Sequence, residues 1–333
     1  MNFCRIISTS MVFMTMLLNA CALKTYENLS PPTKEPSLNN NYFITSDGTH
    51  LPIRKWKSSE PIPKAIILAV HGFNDYSKFI NAAAVFFSRN NITTYAYDQR
   101  GFGAAPNRGF WAGVKTLTAD LLSLTLLIRA RHPKTPLYLL GESMGGAVIM
   151  VALKDAHEQA RDLGLRGVIL SAPAVWGRQF MPWYQTTALW VTAHTFPRAK
   201  LTGRSLKIKA SDNIEMLRAL NKDPLIIKET RVDAIYGLTN LMDQAIESAW
   251  KLNQPLLVLY GKKDEVIPKK PIMVMLSRLP EKGKVTRKVI LYDDGYHMLM
   301  RDLQAKKVWY DVFNWIDLRN KQLIEARQAS EAP

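Results

Sequence analysis

Residues 137–150 read Leu137-Tyr138-Leu139-Leu140-Gly141-Glu142-Ser143-Met144-Gly145-Gly146-Ala147-Val148-Ile149-Met150. A short apolar run enters a Gly-x-Ser-x-Gly turn, and a second apolar run leaves it. The pattern predicts a buried strand, a tight turn and a helix. In so tight a turn the serine takes a strained backbone conformation. Gly141 and Gly145 are required, because side chains there would collide with the neighbouring strand and helix. Ser143 then stands at a helix N-terminus, where free N–H groups and the helix dipole favour negative charge. The N–H of Met144 is placed to donate to a developing oxyanion.

The sequence on either side repeats the theme. An apolar run at 66–70 and short strand-like runs at 93–97, 137–140, 168–170, 256–260 and 289–292 look like strands buried on both faces. A hairpin is expected where 42–45 and 50–57 flank Asp47-Gly48. Helices are expected at 114–131, 144–163, 269–279 and 303–319, the first with Leu117, Leu121, Leu124 and Ile128 on one face. Alternation of this kind predicts an α/β fold, a mainly parallel sheet flanked by helices, with any site along the strand C-termini.

A serine at its normal pKa is a poor nucleophile and needs a base oriented by an acid. On such a turn the acid and the histidine follow the serine in chain order. Strand 256–260 runs into Gly261-Lys262-Lys263-Asp264-Glu265-Val266-Ile267-Pro268, which offers Asp264 and Glu265 as acids. Strand 289–292 runs into Asp293-Asp294-Gly295-Tyr296-His297, which offers His297 as base. His50, His71, His132, His157 and His194 fit that role less well by position, and Asp293 and Asp294 read as turn formers. A second oxyanion donor is expected from the N–H of Phe73, in the turn His71-Gly72-Phe73-Asn74-Asp75, with His71 as a structural hydrogen-bonder.

With these pieces in order, the chain resembles the α/β-hydrolase superfamily, and within it the monoacylglycerol lipase and lysophospholipase group, the serine-aminopeptidase-like hydrolases. The matching segments are His71-Gly72-Phe73, Asp98-Gln99-Arg100-Gly101-Phe102-Gly103, Gly141-Glu142-Ser143-Met144-Gly145-Gly146, Gly261-Lys262-Lys263-Asp264 and His297-Met298-Leu299. The resemblance selects Asp264 over Glu265 and implies a Ser143–His297–Asp264 triad. It implies hydrolysis of carboxylic esters through an acyl-enzyme, with no metal or organic cofactor. Two departures stand out: Glu142 where the group often has His, and Phe102 where it has a second His. Asp75 loosely matches an acid found in that loop of the group.

Length and composition fit this reading. The chain has 333 residues, 47% hydrophobic and 22% charged, enough for two domains or one large domain with an insertion. The formal charge of +16 favours anionic surfaces. Cys4 and Cys21 are the only cysteines, which excludes a disulfide scaffold or a thiolate-rich zinc site. Residues 1–20 read as a signal peptide. Leu18-Asn19-Ala20-Cys21 resembles the bacterial lipobox, which implies cleavage before Cys21 and lipidation of its sulfur. Ala22 in place of Asp then points to the outer membrane of a Gram-negative envelope. Residues 21–41 read as a lipid-anchored linker, 42–173 with 251–333 as the hydrolase core, and 174–250 as an inserted helical cap. The cap is rich in Trp and carries Arg178, Arg198, Lys200, Arg204, Lys207 and Lys209 with no acid before residue 210.

Anchor, basic surface and apolar cap together point to a single-acyl lipid ester as substrate and a membrane as partner. The alternatives are an esterase or acyltransferase on a non-lipid substrate, or a non-catalytic envelope lipoprotein that binds through the same shell. Nucleic acid is not expected as a partner, since no reading motif accompanies the charge.

Overall fold

The structure is a computed structural model that describes residues 34–203, 208–280 and 286–331. The signal segment 1–20, Cys21, most of the linker, Arg204 and Lys207 lie outside the described residues. Nine strands form one sheet in the order β1-β2-β3-β5-β4-β6-β7-β10-β11. The antiparallel edge is β1 (Ser37–Leu38), β2 (Tyr42–Ile44) and β3 (His50–Trp56). The parallel body is β4 (Ala65–Val70), β5 (Ile92–Tyr97), β6 (Leu137–Glu142), β7 (Leu165–Ser171), β10 (Leu256–Gly261) and β11 (Arg287–Tyr292). β3 joins the two halves by pairing antiparallel with β5.

Every residue of β4, β5, β6 and β10 is buried, which is why their sequences do not alternate between apolar and charged residues. Alternation decides only the face: Ile66, Leu68 and Val70 enter one core layer, Ala65, Ile67 and Ala69 the other. The first layer is covered by α2 (Val114–Arg131), α3 (Met144–Glu158), α6 (Val232–Ser248) and α7 (Lys269–Arg278). The second is covered by α1 (Asn81–Arg89) and α8 (Ala305–Glu331). Leu117, Leu121, Leu124 and Ile128 of α2 are fully buried, as their spacing predicted. The remaining elements are α4 (Trp183–Thr195), α5 (Ile214–Lys222) and a two-stranded ribbon of β8 (Lys200–Leu201) with β9 (Thr230–Arg231).

The structure differs from the sequence reading in several places, among them the far end of α8, which runs to Glu331 and not to 319. Ser37–Leu38, read as linker, pairs antiparallel with β2. α1 was not foreseen, since its contact with the sheet rests on Ala83, Ala84 and Phe87 within nine residues. α3 stops at Glu158 and not at 163, because Ala160 turns to a φ of 50° and the Arg161 N–H closes back on the Ala156 carbonyl. Within 174–250, α6 does not stand apart: Leu241, Met242, Ala245 and Ile246 lie in the main core, as do Ala174 and Val175, so the peripheral part is the chain between them.

Candidate active site

β6 ends at Glu142 and α3 begins at Met144, so Ser143 alone makes the turn. Its φ of 53° and ψ of −117° are sparsely populated for a side-chain-bearing residue. The strain is held by neighbours: the Ser143 N–H donates to the Ser171 carbonyl (3.0 Å), and the Ser143 carbonyl accepts from Ala174 (2.9 Å) and Ala147 (3.2 Å). A Cβ on Gly145 would stand 2.1 Å from the Val70 carbonyl oxygen, and one on Gly141 2.5 Å from the Gly146 nitrogen. Both clashes are with backbone, which cannot swing aside. Gly145→Ala is therefore expected to lower Tm by roughly 5 °C or more. Differential scanning calorimetry checks this against Gly203→Ala, where an added Cβ meets nothing within 4 Å.

β10 and β11 end in parallel register, Gly261 opposite Tyr292. The loops beyond them bring Asp264 and His297 together. Nδ1 of His297 donates to Oδ2 of Asp264 at 2.8 Å, while Oδ1 of Asp264 accepts the N–H groups of Val266 (2.8 Å) and Ile267 (2.9 Å). With its proton on Nδ1, the neutral imidazole carries its lone pair on Nε2. Both residues are buried. Burial disfavours the imidazolium, but the Asp264 charge and hydrogen bond, helped by Glu142, outweigh it and raise the His297 pKa above its ordinary 6.5. Glu265 is turned away, with Oε2 accepting the Lys209 N–H. Asp293 and Asp294 pair with Lys262 and Lys263 at the surface.

The turn after β4 lies against the nucleophile, a Cβ on Gly72 being 3.3 Å from that of Ser143. His71 braces it. Its Nδ1 donates to the Gly72 carbonyl (2.8 Å), its Nε2 accepts the Gln99 N–H (3.0 Å), and burial keeps it neutral by lowering its pKa. The Gln99 side chain returns a hydrogen bond to the His71 carbonyl. Among the described residues the N–H groups of Phe73 and Met144 donate to no protein acceptor. The Phe73 ring packs edge-on against Phe102 and near Trp111.

The peripheral segment before α6 is tied to both sides of the site. The Ala210 carbonyl accepts from His297 and Met298, and Ser211 donates to Asp302. Ile227 donates to the Asn74 carbonyl, and the Asn74 side chain donates to Thr230.

One residue escaped the sequence reading. The Arg301 side chain is only 9% exposed, with Nη1 2.7 Å from Oδ2 of Asp75 and Nη2 2.6 Å from Oε1 of Glu142. The bridge explains the departure at the position before the serine: Glu142 is there to meet a cation. No local motif announces it, since the contact spans 159 residues.

The sequence profile of the family described as serine aminopeptidase, S33, matches residues 61–304, which hold all of these groups. The chain belongs to that family. Monoglyceride lipase of Rattus norvegicus is 25% identical over 294 residues, covering 86% of this chain and 93% of that one. Monoacylglycerol lipase of Mycolicibacterium smegmatis is 25% identical over 259 residues, covering 76% and 88%. Among solved structures, a soluble variant of monoglyceride lipase from Saccharomyces cerevisiae, in complex with a substrate analog, superimposes with a TM-score of 0.70 at 19% identity. It covers 88% of this chain and 98% of that one. A monoacylglycerol lipase from Paleococcus ferrophilus gives 0.65 at 18%, covering 81% and 99%. The fold is that of the α/β-hydrolases.

Proposed function

We propose that this chain is a serine hydrolase that cleaves single-acyl lipid esters, monoacylglycerols or lysophospholipids, through an acyl-enzyme on Ser143. The observations that carry the reading are the 2.8 Å hydrogen bond from His297 to Asp264 and, at the C-terminal end of β6 in the same parallel sheet, a serine held at positive φ. In this mechanism His297 Nε2 takes the Ser143 proton as Oγ attacks the ester carbonyl, and Asp264 stabilises the imidazolium. The N–H groups of Phe73 and Met144 hold the oxyanion, a role in which loss of one donor costs about 10²–10³ in rate. The protonated His297 then releases the alcohol, and water repeats the cycle in reverse to free the acid.

The carboxylic ester hydrolase class is supported by family membership and by the lipases and esterases among the similar proteins. The lipid class rests on the monoglyceride lipases, similar over most of their length, and on the surface of the peripheral segment. α4 buries only Ala193 and leaves Trp183 (78% exposed), Tyr184 and Trp190 in solvent, next to Phe196 (68% exposed) and the basic Arg198 and Lys200. Aromatic and basic side chains on one surface suit a headgroup boundary. An N-terminal lipid anchor at Cys21 in a Gram-negative outer membrane would hold the enzyme there.

The test is a substrate panel with residues 34–333 and the Ser143→Ala variant: p-nitrophenyl esters of rising chain length, 1-monoacylglycerols, lysophosphatidylcholine and an aminoacyl p-nitroanilide. Ser143-dependent turnover, at least about tenfold faster on a long-chain monoacylglycerol or lysophospholipid than on the acetyl ester, is expected from methylene burial at ~0.8 kcal/mol each. Turnover of the anilide alone would overturn the reading.

A further inference from the structure

We infer that Arg301 is a positioning residue, whose guanidinium locks the oxyanion turn and the nucleophile elbow to the loop of His297 by bridging Asp75 and Glu142. The inference rests on the proposed serine-hydrolase reading and concerns the same site. Each of the three residues sits one step from a group in the proposed chemistry. Asp75 closes the turn that begins at Gly72, its own N–H donating to the Gly72 carbonyl and its Oδ1 accepting the Tyr76 N–H. Glu142 immediately precedes Ser143. Arg301 lies four residues after His297, its N–H donating to the Met298 carbonyl. The turn after β4, the end of β6 and the loop after β11 thus meet at one guanidinium.

The arrangement is costly as a mere brace. Two carboxylates and one guanidinium are each nine-tenths or more removed from water, and buried ion pairs often stabilise less than apolar residues of the same size. The bridge is also incomplete. Oε2 of Glu142 and Nε of Arg301 are buried and have no partner among the described residues. Two acids against one base leave excess negative charge where the imidazolium of His297 must form. The charged groups acting on that ring are Asp264, Glu142 and Arg301, with Asp302 beyond them and Asp75 behind Arg301. Glu142 raises the His297 pKa and Arg301 lowers it. The bridge therefore sets both the register of the loops and the charge under the base.

The experiment compares Arg301→Lys, Arg301→Gln and Glu142→Gln with wild type. A fluorophosphonate counts reactive serines, so that kcat is expressed per competent site, and Tm is recorded for each. Lysine keeps the charge but cannot fork between two carboxylates. Arg301→Lys is expected to lose about 10²-fold in kcat per site, the scale of a 1 Å misplacement, with KM within about twofold. The acid limb of kcat/KM should move to lower pH in Glu142→Gln and to higher pH in Arg301→Gln. A brace with no other role would not move the limbs in opposite directions. Should Arg301→Gln fail to fold, the loss in Arg301→Lys and the limb of Glu142→Gln still decide. If kcat per site and the limbs stay at wild-type values while only Tm falls, the inference is overturned and the hydrolase reading stands. If wild type itself shows no Ser143-dependent labelling, the reading fails, and the inference with it.

Discussion

Ser143→Ala is expected to lower kcat on any ester substrate by about 10⁶-fold, with KM little changed. The loss corresponds to roughly 8 kcal/mol of transition-state stabilisation. The effect is that large because the hydroxyl carries the only proposed covalent step, and water at the same place would have to attack without the elbow's alignment. The remaining N–H donors and the binding surface still leave a residual rate of about 10³-fold over the uncatalysed reaction. Folding should be spared. Ser143 is only partly buried, its structural contacts run through backbone, and alanine keeps them. Steady-state kinetics with a p-nitrophenyl ester, beside a circular dichroism melt, checks both halves. A variant that keeps even a hundredth of wild-type kcat would mean that another group performs the attack.

Asp264→Asn is the second large effect, a loss of about 10⁴-fold in kcat. The carboxylate accepts from Nδ1 of His297, which leaves Nε2 free to take a proton. An amide that keeps its oxygen on the Val266 and Ile267 N–H groups presents its NH₂ to the ring. Nδ1 must then accept, the proton moves to Nε2, and the base is blocked. The pH profile carries the same signature. Because the Asp264 charge and hydrogen bond raise the His297 pKa above its ordinary value, wild-type kcat/KM is expected to fall as pH drops through it, with an acid limb above pH 6.5. Removing the Asp264 charge lowers the pKa and moves the limb down. The stability linkage has the opposite sense. A pKa raised on folding contributes stability that is complete below the unfolded value near 6.5 and is lost as pH rises through the folded value. Rate and stability profiles of the variant against wild type test both directions.

Much of this was written in short segments of sequence. Ser143, Asp264 and His297 each stand just past an apolar run, and a parallel sheet delivers every such position to one edge. Strand, turn and chain order therefore bring the two loops to one edge, although 33 residues separate Asp264 from His297, and the family resemblance was needed to choose Asp264 over Glu265. What could not be read depends on partners far along the chain. Ser37–Leu38 is a strand only because β2 offers an open edge, and two residues carry no periodicity. α6 reads like the rest of the segment before it, and only its packing on the core separates it. Arg301 looked like one more cation in a chain of 44 Lys and Arg. Its meaning appears only when Asp75 and Glu142 are seen on either side of it. The odd residue at 142 was visible in the sequence, but its reason was not.

The central claim is that Ser143 is the nucleophile. The most direct measurement is to treat the protein with a fluorophosphonate at neutral pH and locate the adduct by peptide mass spectrometry, with ester turnover followed in parallel. The account predicts one adduct per chain, on the peptide bearing Gly141-Glu142-Ser143-Met144-Gly145, with activity lost in proportion to labelling. Full labelling elsewhere, or ester turnover that persists once Ser143 is fully modified, would contradict it.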